Sequence, residues 1–227
     1  MTPMTEDTQR VAKLPATTAC SFMRIITAPS VDRVVAIVSI VPFAYLTYFR
    51  LAEGVFNIPR VSSMIVGFLL IGTMVVRRAP LRVTPNPWFW LLAFVATYGA
   101  TAAALFAQRG VPVAPAIVTN TIAVLSLCIT VFARLSLGRN IGFVPAQRRL
   151  VTSGAYAFVR HPIYTGLFVA YMGLILRAYS PLNLAMFSFI AALFMIKSVV
   201  EENFLKTDPL YAEYMQLVPF RWFPGIA

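Results

Sequence analysis

The last third of the sequence holds a small set of side chains that could bind a charged ligand. Arg160-His161-Pro162 begins one apolar stretch, and Glu201-Glu202 ends the next. His161 is the only histidine, and Glu201 and Glu202 are two of only eight acidic residues. Arginine and histidine bind anionic groups, whereas a carboxylate binds an ammonium or a ribose hydroxyl. The sequence therefore indicates a small-ligand site near the ends of two helices.

The proline after His161 predicts the start of a helix. The residue before a proline is disfavoured in the α conformation, and proline is favoured in the first helical turn, so His161 is expected to cap the helix. Unpaired N–H groups at that end, beside Arg160 and His161, would suit a ligand carboxylate. Tyr164 adds a ring and a hydroxyl, and Gly166 leaves room for a close neighbour. An ordinary interfacial helix start is the alternative interpretation.

The acid pair is expected to divide its roles. Consecutive helical side chains diverge by about 100°, so at most one of Glu201 and Glu202 is expected to face inward. Acids at a helix C-terminus oppose the macrodipole, which predicts a cationic partner, either Arg160 or a ligand ammonium or sulfonium. Simple hydration of a membrane helix end is the alternative.

A short helix is predicted after the acid pair. Asp208-Pro209 is typical of an N-cap followed by the first helical residue. Tyr211 and Tyr214 then share one face. An interfacial aromatic belt is one interpretation; beside the acid pair, the two rings could also form walls for an adenine and a ribose.

The composition predicts a membrane protein. Hydrophobic residues make up 59% and charged residues 12% of the 227 positions, against about 45–50% and about 25% in soluble domains. A bilayer is crossed by about 20 apolar residues. Six such segments lie at about residues 34–49, 61–76, 87–107, 115–133, 162–179 and 183–200. We therefore expect an all-α integral membrane protein with about six transmembrane helices.

The positive charges predict the topology. If the first span starts in the cytoplasm, 14 of the 19 Lys and Arg residues lie on the cytoplasmic side and 4 on the other, with Lys197 near the inner end of the last span. This asymmetry follows the positive-inside rule for both termini in the cytoplasm. Topology and attraction to anionic headgroups account for the net charge of +11, so nucleic-acid binding is not expected.

Three parts of the chain are expected. Residues 1–30 form a cytoplasmic tail with no cleavable signal peptide and a short interfacial helix around residues 22–26, residues 31–134 form transmembrane scaffold helices, and residues 135–227 form the functional core. The core begins with about 28 residues rich in glycine, arginine, proline and aromatics. Such backbone cannot face lipid, so it is expected at the cytoplasmic surface. Cys20 and Cys128 have no metal-ligand spacing.

Together, the motifs of the core resemble a known enzyme family. LVTSGAY at 150–156, RHPIYTG at 160–166, EENFL at 201–205 and the Tyr-x-x-Tyr at 211–214 are similar to the C-terminal half of the isoprenylcysteine carboxyl methyltransferases and their relatives, the phospholipid N-methyltransferases. The resemblance covers roughly residues 135–224, whereas the N-terminal half resembles no family that we can name. It implies S-adenosylmethionine bound at the cytosolic interface under the C-terminal segment, and a lipophilic acceptor that enters from the bilayer.

The resemblance also implies site residues. Arg160 and Arg221 are the candidate catalytic residues. The candidate cofactor-binding residues are Tyr156, His161, Pro162, Tyr164, Gly166, Glu201, Glu202, Tyr211 and Tyr214. No metal ligand is implied. Two features depart from the family pattern: Asp208-Pro209-Leu210 stands where the family often has a glycine, and Arg221 comes one place late in the final segment.

The expected chemistry needs few side chains. Close orientation of a nucleophile and a sulfonium methyl group can supply much of the rate, through effective molarities of about 10⁵ M or more. A carboxylate at the sulfur would hold back a transition state that loses positive charge, so Glu201 and Glu202 are expected at the cofactor's ammonium or ribose. A carboxylate or thiolate acceptor needs little or no proton removal, unlike an ammonium. This favours a carboxylate or thiol on a prenyl-like lipid.

Three other functions are compatible with the same residues. One is N-methylation of ethanolamine headgroups in phospholipids, and another is NADPH-dependent reduction by a membrane enzyme of related architecture. The third is a non-catalytic membrane scaffold. A transporter is disfavoured because the first four spans carry no ionisable residue at mid-depth. The oligomeric state is not predicted.

Overall fold

The computed structural model describes residues 29–52, 54, 56–78, 80–107, 109–142 and 146–225. The predicted interfacial helix and Cys20 lie outside these ranges. Residues 29 and 30, expected in the tail, already belong to the first helix. The described chain is mostly helical and contains one small two-stranded sheet. The predicted all-α fold is therefore confirmed.

Seven α-helices occur in the described ranges. They are α1 (Pro29–Ala52), α2 (Ile58–Val76), α3 (Pro87–Phe106), α4 (Ala116–Leu137), α5 (Pro162–Arg177), α6 (Pro181–Leu205) and α7 (Pro209–Leu217). Strands β1 (Arg82–Val83) and β2 (Ala146–Gln147) and 3-10 helices at Gly138–Asn140 and Gly154–Ala157 complete the elements. Each of the six predicted apolar segments coincides with one of α1 to α6.

Three helices within the described ranges are long and apolar enough to cross a membrane. They are α2, α4 with its extension to Asn140, and α6, and two shorter apolar helices lie at Ile40–Phe49 and Pro162–Arg177. The prediction of a membrane protein is confirmed. Crossing by the other helices, and the cytoplasmic position of the termini, stay predictions.

Proline and a polar cap begin several of these helices. The side chains of Asn57, Asn86, Ser180 and Asp208 each accept a backbone N–H at the start of α2, α3, α6 and α7. His161 is the N-cap of α5, with Pro162 in its first turn. These caps satisfy or remove N–H groups that would otherwise be unpaired. The predicted caps at His161 and Asp208 are confirmed.

The six long helices form a closed ring. Going round it, α1 packs against α2, α2 against α4, α4 against α5, α5 against α6, α6 against α3, and α3 against α1. The α4–α5 contact is the most extensive. Small side chains allow this approach, because a Cβ on Gly166 of α5 would collide with the Thr130 hydroxyl of α4. The ring encloses a cavity that the functional residues line.

The connecting segments gather at two ends of the ring. At one end, which we call the sheet end, β1 pairs antiparallel with β2, and the Arg82 side chain donates to Thr207, at the end of the α6–α7 connection. Gln147 also donates to the Asp208 side chain, which links β2 to the start of α7. At the opposite end, Val111 pairs with Tyr179. The sheet end therefore collects the segments 77–86, 138–161 and 206–225, which carry most of the residues of interest.

Candidate functional site

A cavity of about 880 Å³ lies inside the helix ring. It extends from α7 at the sheet end to Arg177 at the opposite end. Eight of the eleven candidate residues line it: Tyr156, Arg160, His161, Tyr164, Gly166, Glu201, Tyr211 and Tyr214. The other three, Pro162, Glu202 and Arg221, do not line it. The fold therefore brings most of the candidate residues to one enclosed space.

Glu202 is the centre of a buried ionic cluster. Its carboxylate is only 2% exposed. Arg160 Nε donates to Glu202 Oε1 at 2.8 Å, and His161 Nε2 lies 3.0 Å from the same oxygen. Arg221 binds Oε2 through Nε at 3.0 Å and through Nη2 at 2.8 Å. The predicted cationic partner of the acid pair is thus Arg160, joined by two further side chains.

This cluster fastens the segment after α7 to the start of α5. Arg160 Nη1 donates to the carbonyls of Val218 at 2.8 Å and Pro219 at 2.6 Å. The backbone N–H groups of Arg160 and His161 donate to carbonyls of residues 220 and 221, both at 2.9 Å. In the first turn of α5, the N–H groups of Tyr164 and Thr165 both donate to the His161 carbonyl. The expectation of unpaired N–H groups for a ligand carboxylate is therefore wrong for these N–H groups, because the chain itself supplies the acceptors.

The neighbouring acid, Glu201, faces the cavity. It is half-buried, and Tyr164 donates its hydroxyl to Glu201 Oε2 at 3.2 Å. The Tyr164 ring stacks on the His161 ring with centroids 5.3 Å apart and an interplanar angle of 8°. His161 thereby connects the cavity wall to the ionic cluster around Glu202. Of the two carboxylates, only that of Glu201 borders the cavity.

Tyrosines cover the cavity at the sheet end. Tyr211 and Tyr214 pack edge to face, with centroids 5.7 Å apart, and both are buried. Tyr214 donates its hydroxyl to the carbonyl of Tyr156 at 2.8 Å, which ties α7 to the segment before α5. Burial is the main cause that raises the pKa of Tyr156, Tyr211 and Tyr214 above the ordinary value. All three phenols are therefore neutral at physiological pH.

Two of the candidate cofactor-binding residues, Pro162 and Gly166, have a role in the helix structure itself. Pro162 is buried in the first turn of α5, where its ring needs no hydrogen-bond acceptor. Gly166 borders the cavity, and its missing side chain makes space for Thr130. The close neighbour expected for Gly166 is therefore helix α4.

Sequence reasoning missed two basic residues of the cavity wall. Lys197 is buried on α6, with its ammonium 5.7 Å from the Tyr164 ring centroid and 5.5 Å from that of Phe194. Arg134 is buried on α4 and donates from Nη1 to Thr73 Oγ1 of α2 at 3.2 Å. Lys197 lies one turn before Glu201, so helical spacing could have found it. Arg134 belongs to no motif that the sequence analysis recognised.

The described ranges contain few side chains that could bind a metal ion. No group of three or more His, Cys, Asp or Glu side chains there could hold a metal ion. Cys128 is exposed and has a free thiol.

Comparison with known proteins finds a family model that matches part of this chain. The model of the phospholipid methyltransferase family matches residues 116–211. No curated protein matches the chain. The match runs from the start of α4 into α7 and includes the RHPIYTG segment, the acid pair and Tyr211, whereas Tyr214 and Arg221 lie beyond it. The resemblance to these membrane methyltransferases is confirmed.

Proposed function

We propose that this protein transfers a methyl group from S-adenosylmethionine to a lipophilic acceptor that carries a carboxylate or a thiol. The observation that carries the proposal is the position of Glu201. Its carboxylate faces a cavity that is walled by tyrosines and formed largely by the part of the chain that matches a methyltransferase family. Arg160 and Arg221 remain the candidate catalytic residues, and their contacts with Glu202 favour a positioning role.

The residues of the sheet end fit this cofactor. The cavity volume, about 880 Å³, is within the range of about 300–1,000 Å³ that ligand sites occupy. Glu201 can accept hydrogen bonds from an ammonium or from ribose hydroxyls. Aromatic faces attract cations, so Tyr156, Tyr164 and Tyr211 suit a sulfonium. When bound, S-adenosylmethionine supplies a methyl group activated by a positively charged sulfur.

The protein's own contribution is orientation and exclusion of water. Tyr214 and Tyr156 hold α7 over the sheet end of the cavity, while Glu202 and Arg160 fix the following segment. A rigid, water-poor site aligns the nucleophile with the methyl carbon, and alignment supplies much of the rate of such a transfer. Glu201 is expected to contact the ammonium, because a carboxylate at the sulfur would stabilise the ground state more than the transition state.

The protonation chemistry favours a carboxylate or thiolate acceptor. A lipid ammonium must lose a proton before it can attack a methyl group. His161, the only histidine, already contacts the Glu202 carboxylate at 3.0 Å. An anionic acceptor makes no demand for a base. The second candidate function is N-methylation of a phospholipid amine, which the description of the matched family favours.

The test measures binding and then transfer. Calorimetry in detergent is expected to show S-adenosylhomocysteine binding and no comparable binding of NADPH. Glu201→Gln is expected to weaken that binding about ten- to a hundredfold, since a charge-assisted hydrogen bond is worth about 1.5–3 kcal/mol. Glu213→Gln, on the exposed side of α7, is the control and should bind like the parent.

Incubation of membranes with the methyl-labelled cofactor then identifies the acceptor class. Alkali-labile label would indicate a methyl ester, alkali-stable label on a thiol would indicate a thioether, and label in choline-type headgroups would support the second candidate. A folded parent protein that binds NADPH but not S-adenosylhomocysteine would overturn the proposal in favour of a reductase.

A further inference from the structure

Arg134, a cation of the cavity wall, has no acidic partner among the residues that the structure describes. Arg134 is 6% exposed, lines the cavity and lies in the last turn of α4, at the sheet end. Its Nη1 donates to Thr73 Oγ1 at 3.2 Å. Its Nε is buried and has no hydrogen-bond partner among the described residues. Arg160, by contrast, binds a carboxylate and two carbonyls.

A guanidinium buried in this way is unfavourable in the empty protein. Leaving a buried donor without an acceptor costs free energy, and the cost is larger when the group is charged. The macrodipole favours a cation in the last turn of a helix, which explains the position of Arg134 but gives its Nε no acceptor. The single neutral hydroxyl of Thr73 does not compensate the positive charge. An anionic group bound at the side of the guanidinium that borders the cavity would compensate its positive charge.

The position of Arg134 restricts which anion this is. Arg134 follows Ser126 and Thr130 on one face of α4, at successive helical turns, and this face packs against the start of α5. Tyr156 is close enough to Arg134 and to Glu201 for both to act on its pKa: burial is the main cause of the raised pKa, Glu201 raises it further, and Arg134 lowers it. Arg134 and Glu201 thus both act electrostatically on the same phenol.

We infer that Arg134 is a specificity-determining residue that binds the carboxylate of a ligand in this cavity. This inference rests on the proposed function, because it concerns the same cavity. A planar carboxylate can accept two parallel N–H bonds from a guanidinium. It can come from two sources: the amino-acid part of the cofactor, whose ammonium would meet Glu201, or the acceptor.

Two ligand pairs separate these sources. The first pair is S-adenosylhomocysteine and its decarboxylated analogue. The second pair is N-acetyl-S-farnesyl-cysteine and its carboxamide. Each pair differs only in the carboxylate, so the ratio of the two dissociation constants, measured by calorimetry in detergent, reports the contribution of that group alone.

In one of the two pairs, the parent protein is expected to bind the carboxylate ligand at least ten times more tightly than its neutral analogue. Arg134→Met should abolish this preference while leaving the binding of the neutral ligand unchanged. Arg134→Lys should retain part of it, because the charge remains and the bidentate geometry is lost. Arg177→Met is the matched control, since Arg177 also lines the cavity but donates to Asn120 at the opposite end.

The outcomes are distinct. A preference lost in the first pair assigns Arg134 to the cofactor carboxylate, and one lost in the second assigns it to the acceptor. The inference is overturned if the parent shows no preference in either pair, or if Arg134→Met keeps the parental ratios. If Arg134→Met does not fold, Arg134→Gln is judged by the same ratios. Failure of the parent to bind either nucleoside refutes the proposed function instead, and the farnesyl pair then decides the inference alone.

Discussion

Glu201 and Glu202 are adjacent in sequence but have separate environments. Glu202 is buried and binds Arg160, His161 and Arg221. Glu201 faces the cavity and contacts the Tyr164 hydroxyl. The divergence of about 100° between neighbouring helical side chains separates a carboxylate that holds the protein together from one that is free to bind a ligand.

The two acids should therefore respond differently to the same change. Glu201→Gln is expected to weaken S-adenosylhomocysteine binding while leaving the thermal unfolding temperature near that of the parent. Glu202→Gln should lower that temperature clearly, because removing one partner of a buried ion pair costs about 3–5 kcal/mol. Calorimetry and a thermal unfolding series in detergent measure both effects. Equal effects of the two variants on both quantities would contradict this division.

The segment after α7 should be released when its arginines are removed. Arg160 makes charge-assisted bonds to Glu202 and to two carbonyls of this segment. Among the described residues, the Arg221 side chain hydrogen-bonds only to Glu202, and it is 23% exposed. Arg160→Gln is therefore expected to expose residues 218–225 to proteolysis more strongly than Arg221→Gln. Limited proteolysis followed by mass spectrometry measures the cleavage rates. Arg149→Gln, an exposed position, is the control and should be cleaved like the parent.

Local patterns predicted the parts of this site that depend on short-range physics. The cap at His161 follows from Pro162, and the N-cap at Asp208 follows from Pro209, since proline fixes the backbone of its own turn. The apolar segments likewise indicated α1 to α6. Each of these conclusions needs only the residues within one helical turn or one span.

Long-range packing decided what the sequence left open. Which acid faces the cavity depends on how α6 is rotated against α3 and α5, and one helix's sequence does not determine that rotation. The N–H groups at the start of α5 are paired with carbonyls about 60 residues later in the chain. Arg134 has no motif, and its burial appears only when α2 and α4 are packed together. Tertiary contacts of this kind have no local sequence signal.

The α4–α5 contact should be sensitive to one methyl group. A Cβ at Gly166 would overlap the Thr130 hydroxyl, and it would lie 3.2 Å from the Ser126 carbonyl. Gly166→Ala is therefore expected to lower stability by about 1–3 kcal/mol, the usual result of overpacking. Thr130→Ala should recover part of the loss in the double variant. Gly72→Ala, where a Cβ meets nothing within 4 Å, is the control for the loss of a glycine, and thermal unfolding is the measurement.

The buried tyrosines should make the folded protein unstable at high pH. Tyr211 has a raised pKa, mainly through burial and then through the Glu201 and Glu202 carboxylates, and burial also raises the pKa of Tyr214. In the unfolded chain a tyrosine loses its proton near pH 10. Above this pH the unfolded state therefore releases protons that the folded state retains, so the free energy of unfolding falls as the pH rises. We expect the unfolding temperature in detergent to be level from pH 7 to about pH 9.5 and to fall above it. Tyr211→Phe should make the fall of the unfolding temperature with pH shallower. Tyr45→Phe, at an exposed position on α1, is the control and should leave this pH dependence unchanged. If Tyr211→Phe shows the same pH dependence as the parent, the Tyr211 phenol ionises equally in the folded and unfolded states.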